Sequence, residues 1–404
     1  MGHSVESIEK EYLKIQKAVE FSLKRIRRGY GKERILRDLR RFNKKLRLKN
    51  PILNEEDIFE IARNRIKARE KFGKLAAKLF FDEDGLRYST PPSVAEYRAK
   101  RLKTNSIADV SCGSGAQLIY FARESEKAIG VELDKKRAYL AKLNLMAMGE
   151  DAEIIVGDAL SDEIARQIDA EIVFSDPSRP PQEKVRTLEN LEPPPEKVIE
   201  RYSKITSKIA FELPPQLPPE RIPIEGEKEY TSLNFRLNRL ALYCNELAEC
   251  EVSAISIPSM ERVTNETEEI QPEPNGIKDF LHEVDFTVIK AGLLPNLLGK
   301  LDLHADIVID DGKRIVLSSN TRSSSSFVRD YRVEEICSFN FSEINDKLKK
   351  LGAGKITLRF SLPPSEYWNV RNKLESGLDG KEWFYLFRKC DGEEDKAIIA
   401  TPLD

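Results

Sequence analysis

Apolar side chains in the first eighty residues recur at intervals of three and four positions, which places them on one side of an α-helix. The pattern predicts three helices, over residues 5–29, 32–47 and 54–78. Asn54 is a typical N-cap, because acidic residues follow it in the first turn of the third helix. We therefore expect a helical N-terminal domain over residues 1–83.

Short apolar runs alternate with helical patterns from residue 106 onward. Strands that alternate with helices are typical of a parallel, doubly wound sheet. The runs that predict strands lie at residues 106–110, 128–131, 153–156, 171–174, 208–212 and 252–257. We therefore expect an α/β domain with a Rossmann-like fold over residues 84–260.

The remainder of the chain has a different pattern. Residues 261–276 are polar and contain two prolines, a composition typical of a linker. Residues 277–404 combine strand and helix patterns and predict a separate α+β domain. Within it we expect a helix over residues 277–298, and a flexible loop at the serine run 323–326.

Positive charge is concentrated near the N-terminus. Residues 1–50 contain 16 Lys/Arg and 6 Asp/Glu, a net charge of +10, whereas the whole chain has a net charge of −2. This asymmetry indicates a module that binds polyanions, although a solvated basic face would show the same composition. The candidate phosphate contacts on the second predicted helix are Arg34, Arg37, Arg40, Arg41, Lys44 and Lys45.

Composition also excludes several classes of protein. No apolar run approaches the roughly 18–20 residues of a membrane span, and no signal peptide is visible, so we expect a cytoplasmic protein. The five cysteines form no C-x-x-C pair, and only three histidines accompany them. We therefore expect reduced thiols and no structural metal site.

The segment Asp109-Val-Ser-Cys-Gly-Ser-Gly115 follows the first strand of the predicted sheet and leads into a helix. Gly113 and Gly115 would let the backbone approach a ligand closely, and the helix N-terminus favours electronegative groups. An ordinary strand-to-helix turn can contain the same two glycines. The motif therefore indicates a ligand site only in combination with the residues at the ends of the other strands.

Acidic residues follow three further predicted strands, at Glu132, Asp158 and Asp176. The carboxyl ends of parallel strands are where open α/β sheets bind ligands. Glu132 could accept hydrogen bonds from both hydroxyls of a ribose, and Asp158 could reach the amine of an adenine. Asp176 is followed by Pro177 and begins the segment 176–180.

These motifs resemble those of the class I S-adenosylmethionine-dependent methyltransferases. The segment 81–97 resembles the region that precedes the core of trimethylguanosine synthases and related RNA guanine methyltransferases. From about Lys67 onward, the chain resembles a prokaryotic group with a THUMP-like C-terminal domain, through the segments 176–180, 229–234 and 280–293. The resemblance covers about four-fifths of the chain.

The resemblance implies S-adenosylmethionine as cofactor. Gly113 and Gly115 would contact its methionine part, and Asp109 would face its amino group. Glu132 would contact the ribose, Asp158 the adenine amine and Thr90 the methionine carboxylate. Thr90 could equally be an ordinary turn residue before Pro91.

Asp176 and Pro177 are the catalytic candidates, because a carboxylate and a nearby carbonyl can orient an amine towards the methyl group. Many amine methyltransferases have an aromatic residue at the position of Arg179. Arg179 could instead stack on a base or bind a phosphate, or it could be an exposed loop charge.

We therefore predict a methyltransferase that acts on RNA (tRNA or rRNA), at a base nitrogen. The alternatives are a small-molecule or protein methyltransferase, a non-catalytic RNA-binding protein and a dinucleotide-dependent oxidoreductase. The last would prefer a third glycine where Leu118 stands. Tyr367, Trp368 and Trp383 could stack on bases, but we expect them to pack in the core, and we expect His282 to be structural.

Overall fold

The computed structural model describes residues 5–178, 188–274, 276–312, 314–390, 392 and 395–403. The chain forms two compact units. The first unit comprises Met1–Leu217, Ile222–Glu227 and Ala241–Glu249. The second unit comprises Pro218–Arg221, Lys228–Leu240 and Cys250–Asp404. We had expected domain boundaries at residues 83 and 260. Instead, the predicted helical region and most of the Rossmann-like region lie in the first unit, whereas residues 218–221, 228–240 and 250–260 lie in the second.

Three helices form where the N-terminal pattern predicts them: α1 (Val5–Arg27), α2 (Lys32–Leu46) and α3 (Glu55–Lys67). Asn54 caps α3, since its side chain accepts from the backbone N–H of Asp57 at 3.0 Å, and Asp57 accepts from the N–H of Asn54 at 2.9 Å. The predicted extension to residue 78 is wrong, because α3 ends at Lys67. It is followed by α4 (Arg69–Phe72) and a short 3-10 helix (Gly73–Ala77).

A parallel sheet forms the centre of the first unit. Its strand order is β3-β2-β1-β4-β5, and the pairs β1–β2, β1–β4, β2–β3 and β4–β5 are parallel. The strands are β1 (Ser106–Asp109), β2 (Lys127–Glu132), β3 (Glu153–Val156), β4 (Ile172–Ser175) and β5 (Ile209–Leu213). The predicted α/β, doubly wound class is therefore confirmed. From β1 the chain adds β2 and β3 on one side and then β4 and β5 on the other. Sheets of this kind bind ligands in the crevice at the point of reversal, here between β1 and β4.

Helices flank these strands in the chain. They are α5 (Glu83–Tyr88), α6 (Pro92–Arg101), α7 (Leu118–Glu124), α8 (Lys135–Met148), α9 (Asp162–Ala165) and α10 (Pro195–Tyr202), with a 3-10 helix at Asn245–Leu247. Leu118, Phe121 and Phe174 belong to one buried cluster in which α7 packs on the sheet. A second cluster joins the N-terminal helices to α8, through residues such as Val19, Ile58 and Leu140.

The second unit contains a seven-stranded sheet of order β11-β12-β10-β13-β16-β15-β14. Its strands are β10 (Phe280–Val284), β11 (Asp306–Asp310), β12 (Ile315–Ser319), β13 (Val328–Ser338), β14 (Ala353–Leu358), β15 (Glu382–Lys389) and β16 (Lys396–Pro402). Its helices are α11 (Phe286–Ala291), α12 (Leu294–Leu301), α13 (Phe341–Lys350) and α14 (Pro364–Leu374). Helices α13 and α14 cover one side of the sheet with the apolar residues Ile344, Leu348 and Leu374.

Four further strands lie between β5 and β10 in the chain, with a 3-10 helix at Pro219–Arg221. Within the second unit, β6 (Glu227–Leu233) pairs in parallel with β8 (Val252–Ile257), which pairs antiparallel with β9 (Glu261–Thr264). Strand β7 (Leu237–Tyr243) contributes residues to both units. The segment predicted as a linker, 261–276, thus begins with a strand.

Two expectations for the second unit are wrong. The helix predicted over residues 277–298 begins instead with strand β10, and only its later part is helical. Trp368 and Trp383 are 63% and 51% exposed, so neither packs in the core. His282 is fully buried, as expected of a structural residue, between Asp330 and Ser319 at 2.8 Å from each. Among the described residues, no helix is long and apolar enough to cross a membrane.

The buried side chain of Asn144 on α8 joins two parts of the first unit. Its oxygen accepts from the N–H of Phe80 at 2.6 Å, and its amide donates to the carbonyls of Phe80 and Ser114 at 2.9 and 2.8 Å. Phe80 belongs to the segment before α5, and Ser114 lies in the glycine turn after β1. Asn144 therefore fixes that turn against the helical region.

We predict that Asn144→Leu lowers the free energy of unfolding by about 2–4 kcal/mol, because it leaves three buried backbone groups unpaired. Lys142→Leu is the matched control, since Lys142 is exposed on the same helix, and should change stability by less than about 0.5 kcal/mol. Urea denaturation measures both variants. Equal midpoints for the two would contradict the linking role of Asn144.

Candidate cofactor-binding site

The turn after β1 brings both predicted glycines to the carboxyl edge of the sheet. Gly113 and Gly115 have φ values of +54° and +79°, which L-residues with side chains rarely adopt. A Cβ at Gly115 would lie 3.1 Å from the Cβ of Ala141 on α8, so glycine also permits close helix packing. A Cβ at Gly113 would meet no atom within 4 Å, so the backbone there faces open space.

Glu132 connects this turn to the end of β2. Its carboxylate accepts from the backbone N–H of Gly113 and from the N–H of Asp134, both at 2.9 Å. Burial raises the pKa of Glu132, and these two hydrogen bonds oppose the rise. A carboxylate held in this way at the end of the second strand retains lone pairs that can accept from a ribose.

Asp109 is the last residue of β1 and is only 1% exposed. Burial raises the pKa of its carboxyl to about 7, while the hydrogen bond from the N–H of Ser111 opposes the rise and the charge of Glu132 adds to it. A carboxyl in this environment gains from a cationic neighbour, because the opposite charge offsets the cost of ionisation. The chemistry of Asp109 therefore fits the amino group of an amino-acid ligand.

Asp176 follows β4, on the other side of β1 from Glu132. Its backbone N–H donates to the hydroxyl of Ser111 at 2.7 Å, and that hydroxyl lies 3.1 Å from the hydroxyl of Ser175. Pro177 is buried, and Ser178 exchanges backbone hydrogen bonds with Glu192. The structure thus places Asp176 at the crevice between β1 and β4. Arg179 lies outside the described residues.

The two remaining predicted cofactor residues have different surroundings. Asp158 is exposed at the end of β3, where its carboxylate accepts from the N–H of Leu160 at 2.9 Å. Thr90 is buried in the segment between α5 and α6. The cofactor-binding roles of both residues remain predictions.

Sequence reasoning missed a buried ion pair beside this site. Arg98 on α6 and Glu212 on β5 lie 2.7 Å apart and are nearly inaccessible to solvent. Arg98 also donates to the side chain of Gln117 at 3.0 Å and lies 5.1 Å from the centre of the Phe174 ring. Although burial lowers the pKa of Arg98, the charges of Glu212 and Asp176 contribute to a net rise. In the sequence, the one sign of this ion pair is the charged residue Glu212 within the otherwise apolar run 209–213.

Cys112 in the glycine turn is buried, and burial raises the pKa of its thiol well above the usual range. A thiol in this state is a poor nucleophile, because the reactive form is the thiolate. The expected role of a small buried filler fits this environment.

The six basic residues predicted to contact phosphates lie on α2, and all six are exposed. They are Arg34, Arg37, Arg40, Arg41, Lys44 and Lys45. Within the described part of the chain, none of them forms an ion pair. The opposite side of α2 buries Ile35, Leu36 and Leu39, so packing fixes which side faces solvent.

Comparison with known proteins agrees with the geometry of the first unit. A crystal structure of a proposed methyltransferase from Porphyromonas gingivalis W83 superposes with a TM-score of 0.70 at 18% identity, covering 88% of this chain and 93% of that protein. The chain has the class I methyltransferase fold. No protein-family model matches it. The THUMP-like domain and the trimethylguanosine synthase resemblance gain no support from these comparisons.

Two curated relatives come from strains of Mycobacterium tuberculosis. Each is described as an uncharacterised S-adenosylmethionine-dependent methyltransferase and is 26% identical over 249 residues, which is 57% of this chain. The match spans 66% of the length of these relatives, just under two thirds. The comparisons support the predicted enzyme class and the predicted cofactor.

We predict that Glu212→Leu destabilises the protein by about 3–5 kcal/mol, because Arg98 would remain as a buried, uncompensated charge. The double variant Arg98→Met, Glu212→Leu should recover much of that loss. Lys100→Ala on the same helix removes the exposed pair with Glu96 and should leave the unfolding midpoint nearly unchanged. Urea denaturation of the three variants checks this, and a double variant no more stable than Glu212→Leu would contradict it.

Proposed function

We propose that the chain transfers a methyl group from S-adenosylmethionine to a base nitrogen of RNA. The observation that carries the proposal is the pair of hydrogen bonds at the end of β1, from Gly113 to Glu132 and from Asp176 to Ser111. They bring a candidate cofactor residue and the candidate catalytic residue to one edge of the sheet. The fold and the curated relatives support the reaction, and the basic surface of α2 supports the substrate.

Four residues of the first unit would hold the cofactor. Gly113 would present its backbone to the methionine part, and Asp109 would pair with the amino group. Glu132 would accept from the ribose, and Asp158 from the adenine amine. S-adenosylmethionine supplies a methyl group on a positively charged sulfur, which keeps the electron pair of the carbon–sulfur bond when a nucleophile attacks the methyl carbon.

Asp176 would orient the nucleophile. Its carboxylate can accept a hydrogen bond from the target amine, which aims the nitrogen lone pair at the methyl carbon. The bond between the Asp176 N–H and the Ser111 hydroxyl holds the backbone from which the carboxylate projects. After transfer, the proton of the methylated nitrogen passes to solvent or to this carboxylate.

The RNA substrate is inferred from charge. Lys and Arg that lie on successive turns of a helix and form no ion pair neutralise phosphates without reading sequence. The six exposed cations of α2 have this arrangement, since packing directs them away from the core. A small-molecule methyltransferase has no need of such a surface. The alternative is a protein substrate, because the same basic surface would also bind an acidic segment.

We predict that Asp176→Ala reduces methyl transfer at least 100-fold while S-adenosylmethionine affinity changes only a few fold. The assay follows labelled methyl groups into RNA from a strain that lacks the gene. Asp169→Ala is the matched control, since the Asp169 side chain is 98% exposed. Undiminished transfer by Asp176→Ala would exclude the orienting role.

We predict that reversing Arg37, Arg40, Arg41 and Lys44 to Glu weakens RNA binding and flattens its salt dependence, by up to about three in the log–log slope. The cofactor should still bind, because these residues lie outside its site. A matched control reverses four exposed lysines of the second unit: Lys349, Lys350, Lys373 and Lys381. Equal salt slopes for the two folded variants would remove α2 from the RNA site.

A further inference from the structure

Three separate segments of the second unit converge on a pocket of about 480 Å³. The first is the β6–β7 turn, which carries Asn234 and Phe235. The second is the stretch 256–259, which contains the last two residues of β8 and the two that follow. The third contains Ser326, the end of the serine run, and Arg329 at the start of β13. Nothing in the proposed reaction uses these residues.

Phe235 and Arg329 form a stacked pair at this pocket. The guanidinium carbon of Arg329 lies 4.1 Å from the centre of the Phe235 ring. Asn234 and Phe235 have φ values of +53° and +63°, which is unusual for a bulky residue. The turn is closed by hydrogen bonds from Leu233 to Arg236 and from Asn234 to Ile257. The backbone of Phe235 is therefore strained, and its ring lies beneath the guanidinium of Arg329.

The serine wall of the pocket is fixed by a carboxylate. Glu261 accepts from the hydroxyls of Ser325 and Ser326 at 2.9 and 2.7 Å and from the N–H of Ser326 at 2.6 Å. The hydroxyl of Ser259 lies 2.7 Å from that of Ser326. Lys300 lies 3.4 Å from Glu261 and balances its charge. Ser326, at the end of the serine run, is thus held at the pocket, and the run itself forms a loop.

The positive charge of Arg329 is the second feature of the pocket. In the part of the chain that the structure describes, no carboxylate lies within ion-pair distance of it. Glu283, which faces Arg329 in the β10–β13 ladder, is paired instead with Arg314 and Arg359 at 3.3 Å each. Arg329 is exposed, so one side of its guanidinium remains available for stacking.

We propose that this pocket binds one unpaired nucleotide of the RNA substrate. The base stacks on the Arg329 guanidinium, opposite Phe235, as single-stranded bases do on aromatic and arginine planes. The hydroxyl oxygens of Ser259 and Ser326, whose protons are donated within the chain, then accept hydrogen bonds from an amino group or N–H of the base, while the cation favours the adjacent phosphate. A pocket of this volume accommodates a nucleotide. The proposal rests on the proposed RNA substrate and adds a second contact region to it.

The test uses the full chain and a fluorescein-labelled, unstructured 12-nucleotide RNA, with affinity measured by anisotropy. Arg329→Ala and Arg329→Lys should each weaken binding roughly tenfold, because lysine keeps the charge but cannot stack. Arg332→Ala on the same strand is the matched control, since its exposed side chain pairs with Glu334, and should change affinity less than twofold. Full affinity in Arg329→Lys would overturn the stacking role.

A second test uses the parent protein, so it does not depend on whether a variant folds. The chain is photo-crosslinked to the same RNA carrying 4-thiouridine. Crosslinks should map to residues 234–235, 256–259 or 326–329. Binding with crosslinks confined to α2 would overturn the pocket proposal and leave the RNA substrate standing. A chain that binds no RNA at all would contradict the RNA substrate itself, and the pocket proposal with it.

Discussion

The backbone at the end of β1 is held from both sides, and the candidate site depends on this constraint. On one side, Gly113 donates to the carboxylate of Glu132 at the end of β2; on the other, the Ser111 hydroxyl accepts from Asp176 after β4. Parallel strands align their carboxyl ends at one edge, so residues far apart in the chain meet there. These two bonds fix the glycine turn between the candidate ribose contact and the candidate catalytic residue.

Charge burial is the second feature of this edge. Asp109, Arg98 and Glu212 are all nearly inaccessible, and burial keeps the pKa of Asp109 near 7. Buried ionisable groups cost stability, and their concentration at one place in a fold is typical of functional sites. The charge of Arg98 also interacts favourably with that of Asp176. We infer that these buried groups, although they lower stability, serve to bind a charged ligand beside β1.

Local sequence patterns predicted the parts of the molecule that local chemistry determines. The strands β1 to β5 and the cap at Asn54 formed where apolar runs and polar caps placed them, because spacing alone specifies such elements. The Arg98–Glu212 pair was not predictable, since its members are 114 positions apart and meet only through the sheet. Strand β10 was predicted as part of a helix, because Leu281, Val284 and Val288 are spaced as on one side of a helix. The exposure of Trp368 and Trp383 depends on how the second sheet is covered, which spacing does not reveal.

Calorimetric titration with S-adenosylmethionine at pH 6.0 and 7.0 tests the cofactor site most directly. Both values lie below the pKa of an α-amino group, so the ligand stays cationic. Because burial raises the pKa of Asp109 to about 7, a larger fraction of this carboxyl is ionised at pH 7.0, and the cation binds the ionised form. Affinity should therefore rise about fivefold from pH 6.0 to 7.0 in the parent. It should stay nearly constant with pH in Asp109→Asn. Tighter binding of NAD than of S-adenosylmethionine, or the same pH dependence in both proteins, would contradict the assignment.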